Sequence, residues 1–254
     1  MRKIVARAGL LTLLLLSFVS AASIRNQVLL IEASETIRLE SQMVVKNYLY
    51  FYNNPKKTEY KKRVLSGLED LDKQFRIIAK STKDEESKDI LAFLDYSKEK
   101  ILEVMSDPLN KDNPALMLDY SEILLEGAES ISSNIDYVPS AEEKMLMRMK
   151  DINFQIERIT KYYMAIIVGN EGINYQEMLN ESIENMQKDL SLLQQYNYSA
   201  KNQSYLAQLQ INWSVLKKFY TEYRESKMPN IVSLASLEVR KNAHVLELYH
   251  SKNQ

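Results

Sequence analysis

Few residues in this chain have side chains of the kind that carry out catalysis or bind metals. The sequence contains no cysteine and only two histidines, His244 and His250, both within the last eleven residues. Thiolate metal sites and cysteine nucleophiles are therefore excluded, and most zinc sites are disfavoured. Glu247 and His250 have the Glu-x-x-His spacing of di-iron bundles, but such a site needs a second copy, which the sequence lacks. We expect this pair to fray near the chain end, and we expect no metal, no cofactor and no enzymatic activity.

Carboxylates are plentiful but are grouped as charged faces rather than as sites. Acidic clusters occur at residues 84–86 and 69–72, and we interpret both as solvent-exposed sides of helices. The formal net charge of the chain is −1, with 33 Lys and Arg against 34 Asp and Glu. A nucleic-acid-binding surface needs an excess of basic side chains, so we expect no nucleic-acid partner.

The first 22 residues have the composition of a signal peptide. Arg2, Lys3 and Arg7 come before an apolar run that ends in small residues, which predicts cleavage after Ala21 or Ala22. An uncleaved membrane anchor is the alternative, although this apolar run is short for a span of about 20 residues. Without the three basic residues the formal charge goes from −1 to −4. We expect a soluble protein exported to the periplasm.

The composition indicates an all-α fold. Only five Gly and five Pro occur in 254 residues, too few for the turns of a sandwich or the loops of a doubly wound sheet. Apolar residues recur at helical spacing between short runs of helix-breaking residues, which predicts eight helices. The predicted breaks lie at residues 53–55, 81–82, 107–114, 137–139, 169–172, 196–199 and 228–229.

A shift of 115 residues brings the helix breaks of the two halves of the chain into register, which indicates a duplication. Ser140 and Glu143 form a predicted capping box, so a new helix begins close to the middle of the chain without its leader. When the sequence is shifted by 115 residues, Lys46 aligns with Lys161, and Pro114 aligns with Pro229. We therefore predict two tandem up-and-down four-helix bundles, residues 23–138 and 139–254, that form an elongated rod. A single elongated eight-helix domain without internal symmetry is the alternative.

One sequence motif occurs in both halves. RLESQMVVKNYL, residues 38–49, resembles the RMLSQRIAKxYL signature of the PilJ-type domain, and RITKYYM, residues 158–164, is similar to the second part of that signature. PilJ-type domains are the periplasmic helical regions of type IV pilus methyl-accepting chemotaxis transducers, and they are related to the sensory domain of NarX-like nitrate sensors. The resemblance implies a periplasmic four-helix sensory module, present here in two copies.

The resemblance also implies a ligand site. In the nitrate sensors the arginine of the first helix binds the anion at a two-fold dimer interface, and the matching residue here is Arg38. A planar guanidinium suits a small planar oxyanion such as nitrate. Ser41, Gln42 and Lys46 lie on the same stretch, so these four are the predicted ligand-binding residues. The second copy has Asn153 at the position of Arg38, which restricts the prediction to the first copy.

Other interpretations of these residues remain open. Arg38 can be an ordinary helical residue paired with Glu35, three positions earlier. Ser41, Gln42 and Lys46 can line a polar pocket between helices or can form the solvent side of an amphipathic helix.

The sequence thus favours an exported, non-enzymatic PilJ-like sensory protein. Its expected partners are a small anion, a periplasmic or membrane signalling protein, and a second copy of itself in a homodimer. The alternative is a helical structural or adaptor protein of the cell envelope that binds no small molecule. A chaperone-like binder of exported chains is a third interpretation.

Overall fold

The computed structural model describes the backbone of residues 2–82, 84–169, 174–225 and 227–253, and within these ranges the side chains from residue 25 onward. The described chain is all-α, as predicted, and contains no strand. The helices are α1 (Arg2–Asn53), α2 (Thr58–Ser81), α3 (Glu85–Ser106), α4 (Asn113–Ser133), α5 (Ala141–Ile167), α6 (Tyr175–Leu193), α7 (Ala200–Thr221) and α8 (Pro229–Lys252).

Local capping interactions explain why the helices begin where they do. The Asp84 side chain accepts a hydrogen bond from the Ser87 amide, and Ser199 does the same for Asn202. Ser140 and Glu143 form the predicted capping box at the start of α5. Proline lies in the first turn of both α4 and α8, where its missing N–H costs no hydrogen bond. Each helix break predicted from the sequence coincides with a junction between two helices.

The helices pair in the same way in the two halves of the chain. Helix α1 packs against α2 and α4, as α5 packs against α6 and α8, and α3–α4 contacts correspond to α7–α8 contacts. The bounds of α3, shifted by 115 residues, coincide with those of α7. In two of these pairings a glycine lets the neighbouring helix approach closely. A Cβ added at Gly67 on α2 would lie 2.6 Å from Cγ2 of Val44, and one at Gly127 on α4 would overlap the Leu94 side chain.

The two halves meet along α1 and α5, which we call the α1–α5 seam. Contacts join Arg38 to Asp151 and Lys46 to Glu157, so the two helices run parallel and side by side. A continuous set of buried apolar side chains extends across both halves. The seam is therefore part of the interior, and polar residues on it are enclosed.

The signal peptide predicted for residues 1–22 lies outside the residues whose side chains are described. Within the described part of the chain, no helix combines the length and apolar character needed to cross a membrane.

Candidate functional site

Two of the predicted ligand-binding residues, Arg38 and Lys46, pair with α5 across the α1–α5 seam, and the other two, Ser41 and Gln42, lie between them on α1. Ser41 and Gln42 have no exposed surface, Lys46 is 6% exposed, and the Arg38 side chain is 15% exposed. These residues therefore do not form the solvent side of α1. They face the interior, where a polar group needs a partner.

Arg38 is surrounded by carboxylates from three helices. Its Nη1 donates to Glu35 on α1 at 2.8 Å and to Asp151 on α5 at 3.2 Å, and its Nε lies 3.4 Å from Glu129 on α4. The guanidinium carbon lies 4.5 Å from the centre of the Phe154 ring. Burial lowers the pKa of Arg38, but the three carboxylates outweigh this effect and raise the pKa above its ordinary value. The protein's own carboxylates thus hold the place that an anion would take.

Ser41 and Gln42 form a short polar path beside Arg38. Ser41 Oγ donates to the Arg38 carbonyl at 2.7 Å, and Gln42 Nε2 donates to Ser41 Oγ at 2.9 Å. From α4, Ser121 Oγ donates to the Ser41 carbonyl at 3.1 Å. The Gln42 side-chain oxygen is buried without a hydrogen-bond partner. These residues therefore connect α1 to α4 rather than line an open pocket.

Lys46 belongs to a buried ion cluster that joins α1, α5 and α8. Its ammonium pairs with Glu157, which also accepts a hydrogen bond from Arg240 at 2.8 Å. Burial lowers the pKa of Lys46, with Glu157 opposing that effect. Burial raises the pKa of Glu157, but the two cations outweigh it, so this pKa lies below its ordinary value. Glu157 thus stays ionised between two cations.

A second buried ion cluster lies on the other side of the seam, and the ligand-site prediction missed it. Lys161 is fully buried, pairs with Glu122 on α4, and donates to Ser121 Oγ at 3.1 Å. Tyr162 donates to the same carboxylate at 3.0 Å. Burial lowers the pKa of Lys161 to about 8. The alignment of Lys46 with Lys161 in the 115-residue register was the signal that could have identified it.

Glu40 is a carboxylate on α1 that no sequence pattern singled out. A Cβ added at Gly67 on α2 would lie 3.0 Å from its Oε2, so the carboxylate faces the α1–α2 interface. Burial, followed by the like charges of Asp70 and Glu157, raises the pKa of Glu40 to about 7, although Arg240 and Lys46 oppose this. Glu40 therefore titrates near neutral pH.

Asn153 is the counterpart of Arg38 in the second half and makes different contacts. Its Nδ2 donates to Glu247 Oε2 at 2.9 Å, while its Oδ1 is buried without a partner. A groove runs beside Asn153 between α1, α5 and α8, with a main cavity of ≈ 420 Å³. The seam thus has Arg38, paired with the protein's own carboxylates, on its α4 side and an open groove on its α8 side.

The prediction that the Glu247–His250 pair is frayed is wrong for His250. Its imidazole is fully buried, 2.7 Å from Tyr198 Oη and 3.0 Å from Glu142 Oε2. These contacts fasten the end of α8 to the start of α5 and to the α6–α7 connection. Among the described residues, no group of three or more His, Asp or Glu side chains is placed to hold a metal ion.

No family model, curated protein or solved structure matches the chain. The PilJ-type resemblance therefore stays a prediction from the sequence motif.

Proposed function

We propose that the protein is a non-enzymatic sensory module of two PilJ-like four-helix bundles. In this proposal the bundles comprise residues 23–138 and 139–254, lie side by side, bind a small ligand at the α1–α5 seam, and signal to a partner in the cell envelope. The observation that supports it is the seam itself, because the motif helices of both halves pack together there through buried charges. The matching helix pairings of the two halves support the division into bundles.

A charged seam suits a signalling role for an energetic reason. A buried ion pair contributes little net stability, because the loss of hydration offsets most of the attraction. Arrangements of α1 and α5 that exchange ionic partners can therefore lie close in free energy. A ligand that prefers one arrangement by a few kcal/mol shifts the population toward it. An apolar seam of the same length would have no such alternative pairings.

An anion at Arg38 is the version of this proposal that the motif resemblance implies. Such an anion would have to displace Asp151 or Glu129 from the guanidinium, so we expect weak binding in the native protein. The Asp151→Asn substitution removes one competing charge and should strengthen binding. Thermal unfolding is measured with nitrate, nitrite, sulfate and chloride for the native chain, Asp151→Asn and Arg38→Ala.

The result that supports anion binding is a nitrate-dependent rise in Tm that increases in Asp151→Asn and disappears in Arg38→Ala. Arg76→Ala is the matched control, because Arg76 is an exposed, carboxylate-paired arginine on α2. No anion-specific rise in either the native chain or Asp151→Asn would remove the anion from the proposal. A rise that persists in Arg38→Ala would place the anion elsewhere.

Movement at the α1–α5 seam can be measured as a change in the distance between spin labels on the two halves. The chain has no cysteine, so pairs introduced for spin labels are the only labelling sites. Lys88 on α3 and Lys201 on α7 are exposed and belong to different halves, and Lys88 with Glu69 gives a control pair within one half. A ligand that raises Tm should change the distance between labels at positions 88 and 201 and leave the distance between labels at positions 88 and 69 unchanged.

The proposal includes export to the periplasm with removal of residues 1–21 or 1–22. Expression of the full chain in a bacterium, followed by fractionation and N-terminal sequencing, tests this directly. A mature chain that begins at Ala22 or Ser23 supports it. An intact N-terminus at Met1 in the cytoplasmic fraction contradicts it.

A second candidate function is an envelope adaptor, and one observation favours it. Phe93 and Tyr96 on α3 are 55% and 56% exposed, and Ile211 and Val215 on α7 are 57% and 51% exposed. Tyr96 and Ile211 are equivalent in the 115-residue register, so both halves expose apolar side chains on the same kind of helix. Exposed apolar groups of this kind mark protein interaction surfaces. A photo-crosslinking residue at 96 or 211 should then give one defined adduct in the envelope, absent from the exposed position 201.

A further inference from the structure

The two sides of the α1–α5 seam are built from equivalent positions with different side chains. In the 115-residue register Arg38 corresponds to Asn153, and Glu129 on α4 corresponds to His244 on α8. Asp151, which pairs with Arg38 across the seam, corresponds to Thr36. On the α4 side, arginine and acids therefore satisfy one another. On the α8 side, the corresponding positions carry an amide, an imidazole and a hydroxyl.

Next to the Lys46–Glu157–Arg240 cluster, the α8 side contains two adjoining cavities. Both are lined by Leu39, Asn153 and Glu247, which lie where the cavities meet. The larger cavity, ≈ 420 Å³, lies within the range of about 300–1,000 Å³ typical of small-molecule sites, and the smaller adds ≈ 80 Å³. Asn153 is 5% exposed, and its Oδ1 has no hydrogen-bond partner. A buried amide oxygen without a donor is costly unless another molecule supplies one.

The groove is lined by basic side chains and by one carboxylate, Glu247, that both cavities share. Apart from the shared residues, the larger cavity is lined by Arg240, Lys241 and His244, together with Leu237. Arg240 is partly neutralised by Glu157, whereas the Lys241 side chain is 75% exposed and has one carboxylate neighbour, at 3.9 Å. The smaller cavity adds Lys150 and Glu35, and Glu35 is paired with Arg38, so among the described lining residues the carboxylate without a lysine or arginine partner is the shared Glu247. The groove therefore has cations at one end and a carboxylate where the two cavities meet.

We propose that this groove binds a small zwitterion of the α-amino acid class. The ligand ammonium donates to Glu247 and, after a small rotation of the amide, to Asn153 Oδ1, which gives that oxygen the donor it lacks. The ligand carboxylate lies toward Lys241 and Arg240. A simple anion would leave Glu247 unmatched, and a simple amine would leave the basic end unmatched. The residues that contact the ligand, Glu247, Asn153, Lys241 and Arg240, lie outside the Arg38 cluster, so the proposal stands whether or not an anion binds at Arg38.

Calorimetric titration of the full chain with each of the twenty L-amino acids at millimolar concentration tests the proposal. At least one should bind, and its matching amine and matching carboxylic acid should each bind about tenfold more weakly, because each lacks one charged contact. Lys241→Glu places a negative charge at the basic end without disturbing the core, and should weaken binding about tenfold or more. Asn153→Leu should weaken binding by a similar factor.

Two controls separate this site from the rest of the seam. Arg38→Ala should leave amino-acid affinity unchanged, whereas loss in Arg38→Ala with retention in Lys241→Glu would place the site on the α4 side and overturn the proposal. Lys201→Glu introduces the same charge change at an exposed site on α7 and should have no effect. Because Lys241 is exposed, the proposal remains testable even where Asn153→Leu fails to fold. Absence of binding by every amino acid, or equal binding of the amine or the acid alone, would also overturn it.

Discussion

Glu40 provides the sharpest test of the seam, because its surroundings make fold stability depend on pH. Burial and the nearby charges of Asp70 and Glu157 raise the pKa of Glu40 from 4.5 to about 7 in the folded chain. In the unfolded chain the carboxyl returns to its ordinary value. The folded state therefore holds this proton more tightly. The stabilisation from it is fully present below pH 4.5 and is lost as the pH rises through 7.

The size of the effect follows from the pKa values of Glu40 in the unfolded and folded chain, 4.5 and about 7. One pKa unit corresponds to about 1.4 kcal/mol, so the free energy of unfolding falls by up to about 3 kcal/mol between pH 4.5 and pH 7. Glu40 is not fully enclosed, so solvent screening reduces this to about 1–2 kcal/mol. Glu40→Gln keeps the shape of the side chain and removes the charge. We expect the variant to gain stability relative to the native chain by that amount as the pH rises from 5 to 8.

The measurement is urea unfolding of the native chain and Glu40→Gln at pH 5, 6, 7 and 8. The difference between the two is the relevant quantity, because other titrating groups contribute equally to both. Glu69→Gln is the control, since Glu69 is an exposed carboxylate near the same part of α2. A difference for Glu40→Gln that stays constant across this range, like that of the control, would refute the reasoning.

Three further predictions concern other buried groups. Burial lowers the pKa of Lys161 from 10.5 to about 8, so the buried charge destabilises the fold below pH 8. The free energy of unfolding should therefore rise as the pH increases from 8 toward 10.5, and Lys161→Met should remove this rise between about pH 8 and 10. Glu157→Gln leaves Lys46 without its charged partner and should cost about 3–5 kcal/mol in urea unfolding, and adding Lys46→Met should recover part of that loss. Gly127→Ala forces a methyl group into Leu94 and should lower stability by about 1–3 kcal/mol, measured by thermal unfolding, whereas an unchanged Tm would show that α3 and α4 can separate there freely.

The helices could be located from the sequence because their ends are set by local chemistry. Prolines 114 and 229 and the Ser140–Glu143 capping box act within one turn of the residues that carry them. Each predicted break coincides with a junction between helices, whereas the isolated Gly67 and Gly127 lie inside α2 and α4. The pairing of α1 with α5 was not predicted, because a helical stripe shows that a face is buried without showing which helix covers it.

The site was harder to predict because its contacts are distant in sequence. The motif placed Arg38, Ser41, Gln42 and Lys46 on one helix, and the structure buries the last three and leaves Arg38 partly exposed. The sequence indicated Glu35 as a local partner of Arg38, and that pair is confirmed. Asp151 is 113 residues away, so no local pattern reveals it. His250 was misjudged for the same reason, since the tertiary contact with Glu142 spans 108 residues.

The two lysines that align in the 115-residue register make different ion pairs, so the interior at the seam is asymmetric. Lys46 and Lys161 are equivalent, yet Lys46 pairs with Glu157 on α5 and Lys161 pairs with Glu122 on α4. In the 115-residue register Glu157 corresponds to Gln42, and Glu122 corresponds to Leu237. Neither acid has an acidic counterpart, so each lysine obtains its charge partner from a different direction. On the α8 side the position that corresponds to Glu122 is Leu237, and Glu157 from α5 pairs with both Lys46 and Arg240 there. The groove beside Asn153 lies on that side, and Leu237 is one of the residues that line it.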